Sequence, residues 1–554
     1  MRSFLLRFKA SRYYLPILSG IFIGTSYIPL PPWASAFAFV PLFIFWSSET
    51  SLKRVIIAGW LTQFTLTLLG FNWVAHTIHE FGHMAWPISI AGLFAFCSFA
   101  NIDVVIAGFL QHLLIKWISQ IRSKHASNTL STELSPLGRI AIMALLMALV
   151  KGSFDTIFHW SYGYPLLWVH LPMAQLAELI GFQGLSSLVI LANIGSFQFW
   201  QHRHSQAGRK MLGTLLVLFV LANLAGYGLK RSWPAANAEL NVLITQANIG
   251  NLEKAQAEKG LGFQQFITDK YSTLTRNAKF SADQEKIRVD FALWPETAFP
   301  YRVDQRWWLK TPNYPFITEP IRNLAKELEI ALITGGYGTS PVDGEIANTL
   351  FVIEKSGVIQ PDPYFKTHLL AFGEYIPFGN IWPQLYDWIP ASHFSIGPGP
   401  QVKDLPLTPY ADGTPRAANV KFGPQICYEG LFAFFARDLA DQGAEIFVNV
   451  TNDSWYGTWQ QPYQHLYNTL GRAIEFRRPL IRATNTGITT VVTALGEVMD
   501  FSPLHAEWAH VYQVPYRQSP SQTIYQKYPW LMTTLLIITL LWICIRPTLR
   551  KRQT

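Results

Sequence analysis

VKFGPQICYEGLF, residues 420–432, is the stretch on which the fold turns. The run from Val420 to Ile426 has the β-branched and aromatic texture of a strand, Cys427 stands at its end, and a helical pattern opens at Leu431. A strand that delivers a nucleophilic side chain into a tight turn before a helix is an elbow, which presents the side chain and turns neighbouring N–H groups toward an oxyanion. Outward from it, strands are expected at Leu240–Thr245, Val289–Leu293, Ile330–Thr334, Leu350–Ile353, Ile446–Val450, Leu480–Ala483, Thr489–Val492 and Ala509–Val514. Helices are expected at Phe263–Asn277, Glu319–Leu328, Leu431–Asp441 and Tyr463–Phe476. Short β-branched runs punctuated by helical patterns make residues 238–516 a layered α/β domain.

The flanks are different in kind. Charged residues are 14% of the 554, against roughly 25% in a soluble globular protein, and half of all residues are hydrophobic. A disordered chain and an ordinary cytosolic enzyme are excluded. Between Lys230 and Lys527 there are 26 Lys+Arg and 29 Asp+Glu, so the net charge of +9 comes entirely from the flanks. A nucleic-acid-binding protein concentrates its basic residues on the folded unit, so no nucleic-acid partner is expected. Three cysteines make no disulfide framework.

Apolar stretches lie near 13–30, 35–47, 55–76, 85–115, 140–160, 173–200 and 211–229, and an eighth at 530–545. A span takes roughly 20 apolar residues, so the second is short and the fourth and sixth are long. If the eight alternate, 17 Lys/Arg fall on one side, among them Arg12, Lys53, Arg54, Lys116, Arg122, Arg139, Arg203 and Arg550. The loops opposite, at 31–36, 77–84 and 161–172, hold none; Lys151 lies close, and Lys230 and Arg231 run against the pattern. The positive-inside rule then puts both termini in the cytoplasm and the α/β domain outside. The expected domains are a seven-span membrane domain at 1–230, an extracytoplasmic catalytic domain at 231–528, and an eighth span with a basic tail at 529–554. The first 30 residues also have the basic start and apolar centre of a secretory signal, but no small-residue cleavage site follows, and a retained helix is expected. Two long aromatic connections, Phe299–Phe316 with Trp307 and Trp308, and Tyr375–Gly399 with Trp382, Tyr386, Trp388 and Phe394, suit either a bilayer interface or the cover of a core.

Three segments hold the chemistry. FALWPETAFP (291–300) puts Glu296 just past a strand tip, PYFKTHLLAFGEYIPF (363–378) contains Lys366 and Glu374, and the elbow sets Tyr428 and Glu429 after Cys427. A free thiol titrates at about pH 8.5, so a carboxylate base and a nearby cation are the parts that activate it. Glu296 can take the proton and Lys366 can hold an oxyanion. Singly, each has a bland reading, since most Glu and Lys are solvated and a lone Cys is usually a small core residue. Cys427, however, has no cysteine partner in its domain, Cys97 and Cys544 being in apolar stretches.

At these segments the sequence closely resembles the nitrilase superfamily, whose Glu-Lys-Cys triad is matched in type and order by Glu296, Lys366 and Cys427, and more narrowly the bacterial apolipoprotein N-acyltransferase family. The likeness covers most of the chain, through NVTNDSWYG (449–457), RPLIRATNTGIT (478–489), GFNWV (70–74) and QLAELIGFQGLSSLVILAN (175–193). FGEYIP and CYE are its specific segments; WPE alone is not. The resemblance implies a nitrilase-like α-β-β-α sandwich beside the multi-pass α-helical membrane domain, on the periplasmic face of the bacterial inner membrane. It implies transfer of an acyl chain from a membrane phospholipid to the N-terminal α-amine of S-diacylglyceryl-Cys apolipoproteins through a thioester on Cys427. Glu374, Tyr428 and Glu429 are then supporting residues, and no cofactor, metal or second subunit is called for. One departure stands out: many members carry a Trp after a Q-G-N-I-P segment, whereas QANIGNLEKAQAEKG (246–260) has none, which bears on donor preference or acceptor docking.

Other readings compete. HEFGH (79–83) fits the H-E-x-x-H zinc pattern, with His79 and His83 on one helical face and Glu80 as base, but Gly82 weakens that helix and no third ligand follows. A membrane-tethered amidase that hydrolyses its thioester, and a scaffold that keeps the fold without catalysis, are the remaining alternatives. Asp103 lies inside the fourth apolar stretch, where a carboxylate is by default functional, yet a break or water-facing turn explains it equally and it is left out of the site. Asn452, Asp453 and Trp455 either line a pocket or make a turn.

Overall fold

The computed structural model describes residues 12–124, 134–153, 160–258, 262–303, 314–388, 392–409 and 416–549. The chain divides into two units, one of Met1–His79, Met84–Ser232 and Lys527–Thr554, the other of Glu80–His83 and Trp233–Gln526.

The described apolar stretches of the first unit are mainly helical, as lipid demands, because a helix satisfies its own backbone polar groups. Among the described residues, Trp86–Ile121, Pro136–Ser153, Pro172–His202 and Gln206–Ser232 are long and apolar enough to cross a membrane. Leu52–Gly70 and Trp73–Glu80, bent by 64°, pass together as one more, while Tyr14–Gly24 and Leu531–Ile545 are apolar but shorter. The stretch at 35–47 is helical only over Val40–Ser47, about 12 Å at 1.5 Å per residue, and turns precede it. The fourth stretch breaks between helices Trp86–Phe99 and Asp103–Lys124. Asp103 opens the second of these, with Lys151 Nζ 3.4 Å from its Oδ2. Both side chains are buried, so the basic residue nearest to the uncharged loops is neutralised within the helices. HEFGH gives no zinc geometry: the helix ends at Glu80, His83 lies past it with φ 49°, and His79 Nδ1 sits 2.7 Å from the Met84 carbonyl.

The second unit holds two sheets. Strands β1 (Ala238–Gln246), β2 (Phe291–Leu293), β3 (Ala331–Thr339), β4 (Ile346–Ile353), β5 (Tyr364–Phe365) and β11 (Trp508–Tyr516) form the first, in the order β11-β1-β2-β3-β4-β5. Strands β6 (Lys403–Pro406), β7 (Asn419–Ile426), β8 (Ile446–Thr451), β9 (Leu480–Thr484) and β10 (Thr490–Val492) form the second, in the order β10-β9-β8-β7-β6. The inner strands β1-β2-β3 and β7-β8-β9 are parallel and the outer pairings antiparallel. Parallel strands are covered on both faces, which is why IFVNVT and LIRAT are buried at every position. A short helix α1 (Asn251–Glu258) follows β1. Helices α2 (Gln264–Gln284) and α3 (Tyr314–Leu328) pack on the first sheet, and α4 (Ala433–Asp441) and α5 (Gln461–Phe476) on the second. On α2 the inward residues Ile267, Tyr271 and Thr275 are spaced by four, one helical face. The sheets face each other across a core that includes polar joints: Gln246 Oε1 of β1 accepts from Thr484 and Thr489 hydroxyls at 3.0 and 2.7 Å. This is the nitrilase-like α-β-β-α sandwich. Trp307 and Trp308 lie outside the described residues; Trp382 and Phe378 of the other aromatic connection are exposed.

Both parallel sets deliver their C-terminal ends to the segments that hold the candidate residues, the usual place for a site in parallel α/β architecture. The approach is closest at Gly335 of β3, whose N–H donates to the Pro295 carbonyl at 3.2 Å. A Cβ there would lie 2.5 Å from the Thr297 nitrogen and 2.8 Å from Glu296 Cα. Gly335→Ala is therefore expected to displace the Glu296 turn, lowering the melting temperature by several degrees (about 1–3 kcal/mol for overpacking) and abolishing covalent loading of Cys427, both measurable on purified enzyme.

Candidate active site

Glu296 is placed by its neighbours in sequence. Trp294 is buried against Tyr271, ring centroids 5.2 Å apart, with its indole N–H donating to Thr275 Oγ1 at 2.9 Å. Pro295 turns the chain and Thr297 takes φ 48°, so the carboxylate of Glu296 points inward. Its Oε1 accepts from Asn348 Nδ2 at 2.7 Å and Lys366 Nζ at 3.3 Å, and its Oε2 accepts the Asn452 N–H at 2.9 Å. Lys254 of α1, in the segment without the family's Trp, donates to the Glu296 carbonyl at 3.3 Å.

Lys366 follows the two-residue strand β5, and its N–H continues the ladder to the Asn348 carbonyl at 2.9 Å. The ammonium is 1% exposed and lies 2.8 Å from Glu374 Oε1, so two carboxylates flank one buried cation. Glu374 is itself held by the Leu370 N–H at 2.9 Å. Removing one partner from such a cluster leaves a buried charge uncompensated, at about 3–5 kcal/mol.

Cys427 sits at the elbow with φ 53°, a left-handed conformation that a non-glycine residue adopts only when its surroundings hold it there. Five bonds to Glu429 do that holding. This carboxylate, fully buried, accepts from the Ile426 N–H at 2.8 Å, the Thr367 N–H at 2.6 Å, the His368 N–H at 3.1 Å, Thr367 Oγ1 at 3.0 Å and Tyr364 Oη at 2.7 Å. It thus ties the residue before Cys427 to the residues after Lys366, through three backbone N–H groups and two hydroxyls. Burial pushes its carboxyl up, against the pull of the Ile426 N–H and Lys366. Tyr428 is half-buried, its ring edge-on to Phe432.

The electrostatics follow from this crowding. Burial pushes the Cys427 thiol well up and Glu296 adds to it, while Lys366 opposes. Burial alone would lower Lys366, but Glu374, Glu296 and Cys427 together hold it above the usual lysine range. Behind the triad, burial raises Asp453 but His465 and Arg482 outweigh it, bringing the carboxyl down to about 2. Arg482 Nη2 lies 2.9 Å from Asp453 Oδ2, and its Nη1 donates to Asn449 Oδ1. Asn449 Nδ2 in turn reaches the Cys427 carbonyl at 3.4 Å.

Glu296, Lys366, Glu374 and Cys427 thus come together, Glu429 stands one layer behind, and Tyr428 flanks the elbow. Asn452 and Asp453 are parts of the surroundings rather than a bare turn, one through its N–H and the other through a buried ion pair. Asn348, Lys254 and Arg482 were not legible as site residues. Among the described residues, no group of three His, Cys, Asp or Glu is arranged to hold a metal.

A thiol, a carboxylate and a buried lysine meet at the strand ends of a sandwich of the carbon-nitrogen hydrolase class, and residues 246–514 match the carbon-nitrogen hydrolase family. Residues 19–195 match the apolipoprotein N-acyltransferase N-terminal domain. An apolipoprotein N-acyltransferase of Bdellovibrio bacteriovorus is 39% identical over 541 residues, 96% of this chain and 93% of that one. One of Geobacter metallireducens is 27% identical over 506 residues, 89% and 88% of the two chains. Among solved structures, an amidase from Nesterenkonia sp. AN1 is similar at 17% identity and TM-score 0.34, covering 49% of this chain and 92% of that one. The chain belongs to the apolipoprotein N-acyltransferase family.

Because Glu296 helps push the thiol up, Glu296→Gln is expected to alkylate faster than wild type with iodoacetamide at about pH 8, by roughly threefold to tenfold, while losing acyl loading. Slower alkylation in the variant would show that Glu296 does not oppose the thiolate.

Proposed function

We propose that Cys427, Glu296 and Lys366 carry out the family's acyl transfer in two half-reactions. Glu296 accepts the Cys427 proton as sulfur attacks the ester carbonyl of a membrane phospholipid. Lys366 and an N–H at the elbow stabilise the tetrahedral oxyanion. The intermediate collapses, the lysophospholipid alkoxide takes the proton back from Glu296 and leaves, and an acyl thioester remains on Cys427. The α-amine of an S-diacylglyceryl-Cys apolipoprotein then attacks the thioester carbonyl, Glu296 takes the amine proton, and the thiol is restored as the amide departs. Glu374 orients Lys366, and Glu429 fixes the backbone that carries Lys366 and Cys427. The observation that carries this reading is the buried Lys366 ammonium held between Glu296 and Glu374 in the electrostatic neighbourhood of the thiol. The surroundings proposed are a multi-pass inner membrane protein with the catalytic unit in the periplasm, acting as a monomer.

Enzyme incubated with phospholipid alone is expected to gain one acyl mass on the Cys427 peptide, and a diacylglyceryl lipopeptide with a free amine should discharge it into an amide. A hydrolase would release fatty acid at a rate indifferent to that peptide. Cys427→Ala should abolish loading, and Lys366→Met should slow it roughly 10² to 10³-fold, as for loss of an oxyanion donor. An acyl mass on another residue would overturn the assignment.

Topology is checked separately. A reporter fused after Gly260 should be active only in its periplasm-dependent form, and one fused after Arg122 only in its cytoplasmic form; the reverse pattern would overturn the orientation.

A further inference from the structure

Around Lys366 one uncharged side chain touches both carboxylates. Asn348 in β4 is 2% exposed. Its Nδ2 donates to Glu296 Oε1 at 2.7 Å and to Glu374 Oε1 at 3.4 Å, while its carbonyl accepts the Lys366 N–H at 2.9 Å. One residue therefore sets the register of the cation and places its two amide hydrogens between the two acids. The amide orientation is dictated, since the reverse would turn its oxygen onto two carboxylate oxygens. In the orientation it takes, Oδ1 is buried and has no hydrogen-bond partner among the described residues.

Two carboxylates on one cation repel each other, and the common relief is a shared proton, because a like charge nearby disfavours the second ionisation. A proton shared by Glu296 and Glu374 would occupy the base. We infer that Asn348 is a positioning residue for the reaction: its amide hydrogens fill the place between Glu296 and Glu374 that a shared proton would take, which leaves Glu296 able to accept the Cys427 proton. This rests on the acyl-transfer reading above. Among the described residues, the other charged or titratable groups facing Glu296 are Lys366, Glu374, Cys427 and Tyr456, with Lys254 at its carbonyl and Asp453 next to the Asn452 N–H that it binds. All of them are kept in Asn348→Ala, which adds no titratable group, so a change in its pH dependence reports the amide.

The test is the rate of thioester formation on Cys427 from phospholipid vesicles, followed by mass spectrometry in single turnover from about pH 5 to about pH 9, for wild type, Asn348→Ala and Asn348→Asp. If the amide hydrogens matter, the acidic limb of the loading rate moves up in Asn348→Ala. The loss is then greatest at low pH and narrows as pH rises. Asn348→Asp, nearly isosteric but a third acid, moves the limb further. An asparagine needed only for shape gives the opposite order, with Asp tolerated better than Ala and losses uniform in pH. An unmoved limb in Asn348→Ala, or that opposite order, overturns the inference. Should Asn348→Asp not fold, the limb of Asn348→Ala decides alone. A wild-type enzyme that forms no adduct on Cys427 would instead overturn the acyl-transfer reading itself.

Discussion

A lysine ammonium removed from water is tolerated only where fixed negative charge surrounds it, and Lys366 at 1% exposure is the group to which the rest of the catalytic unit answers. Its two counter-charges come from distant parts of the chain, Glu296 from the end of β2 and Glu374 from the loop after β5. Neither is held by the lysine alone. Glu296 is gripped at both oxygens, by Asn348 and by the Asn452 N–H, and Glu374 by the Leu370 N–H. Polar clusters in a low-dielectric interior are stable only when nearly every member is satisfied. That requirement explains why so many buried polar residues crowd this end of the sandwich.

The second layer serves the same end by different bonds. Glu429 gathers donors from the elbow and from the segment after Lys366, so nucleophile and cation move as one body. Arg482 joins Asp453 to Asn449, and these neighbour the Asn452 N–H on Glu296 and the carbonyl of Cys427. An Arg is suited to that span because its planar fork donates in two directions at once. Between them, Glu429 and Arg482 connect the elbow, the segment after Lys366 and the turn that binds Glu296.

How much of this was legible depended on the range of the interaction. The elbow was readable because its signals are adjacent: a β-branched run, Cys427, and a helix opening a few residues on. Inner strands such as β8 and β9 were readable because burial on both faces leaves short, mostly apolar and β-branched runs, even with Asn449 and Arg482 inside them. Strands β5 and β6 were missed, since two and four residues leave no period to count and pairing with β4 and β7 alone defines them. Helix α1 was missed because NLEKAQAE has no apolar stripe. Asn348 could not be seen at all: it sits in IANTLFVI, where an asparagine reads as an interruption of a strand, and its value comes from carboxylates that arrive from elsewhere. Glu429 was picked out through its motif, but that it works on backbone N–H groups follows only from the fold.

A thiol pushed up by its surroundings looks at first like a poor nucleophile. The proposed acyl transfer would resolve this through the conservation of charge within the cluster. When Cys427 gives its proton to Glu296, one negative charge moves from carboxylate to sulfur, and the total over Glu296, Lys366, Glu374 and Cys427 is unchanged. No new charge is created in a dry site. Attack on a carbonyl then carries that charge outward to the oxyanion, toward Lys366, the cation kept charged throughout by Glu374. On that proposal the resting thiol, pushed up by burial, is a weak target for alkylation and oxidation, which require thiolate, until a carbonyl stands ready to take the charge on. Such a device works only if Glu296 starts without a proton, which is why the spacing of the two acids around one lysine matters as much as the nucleophile itself.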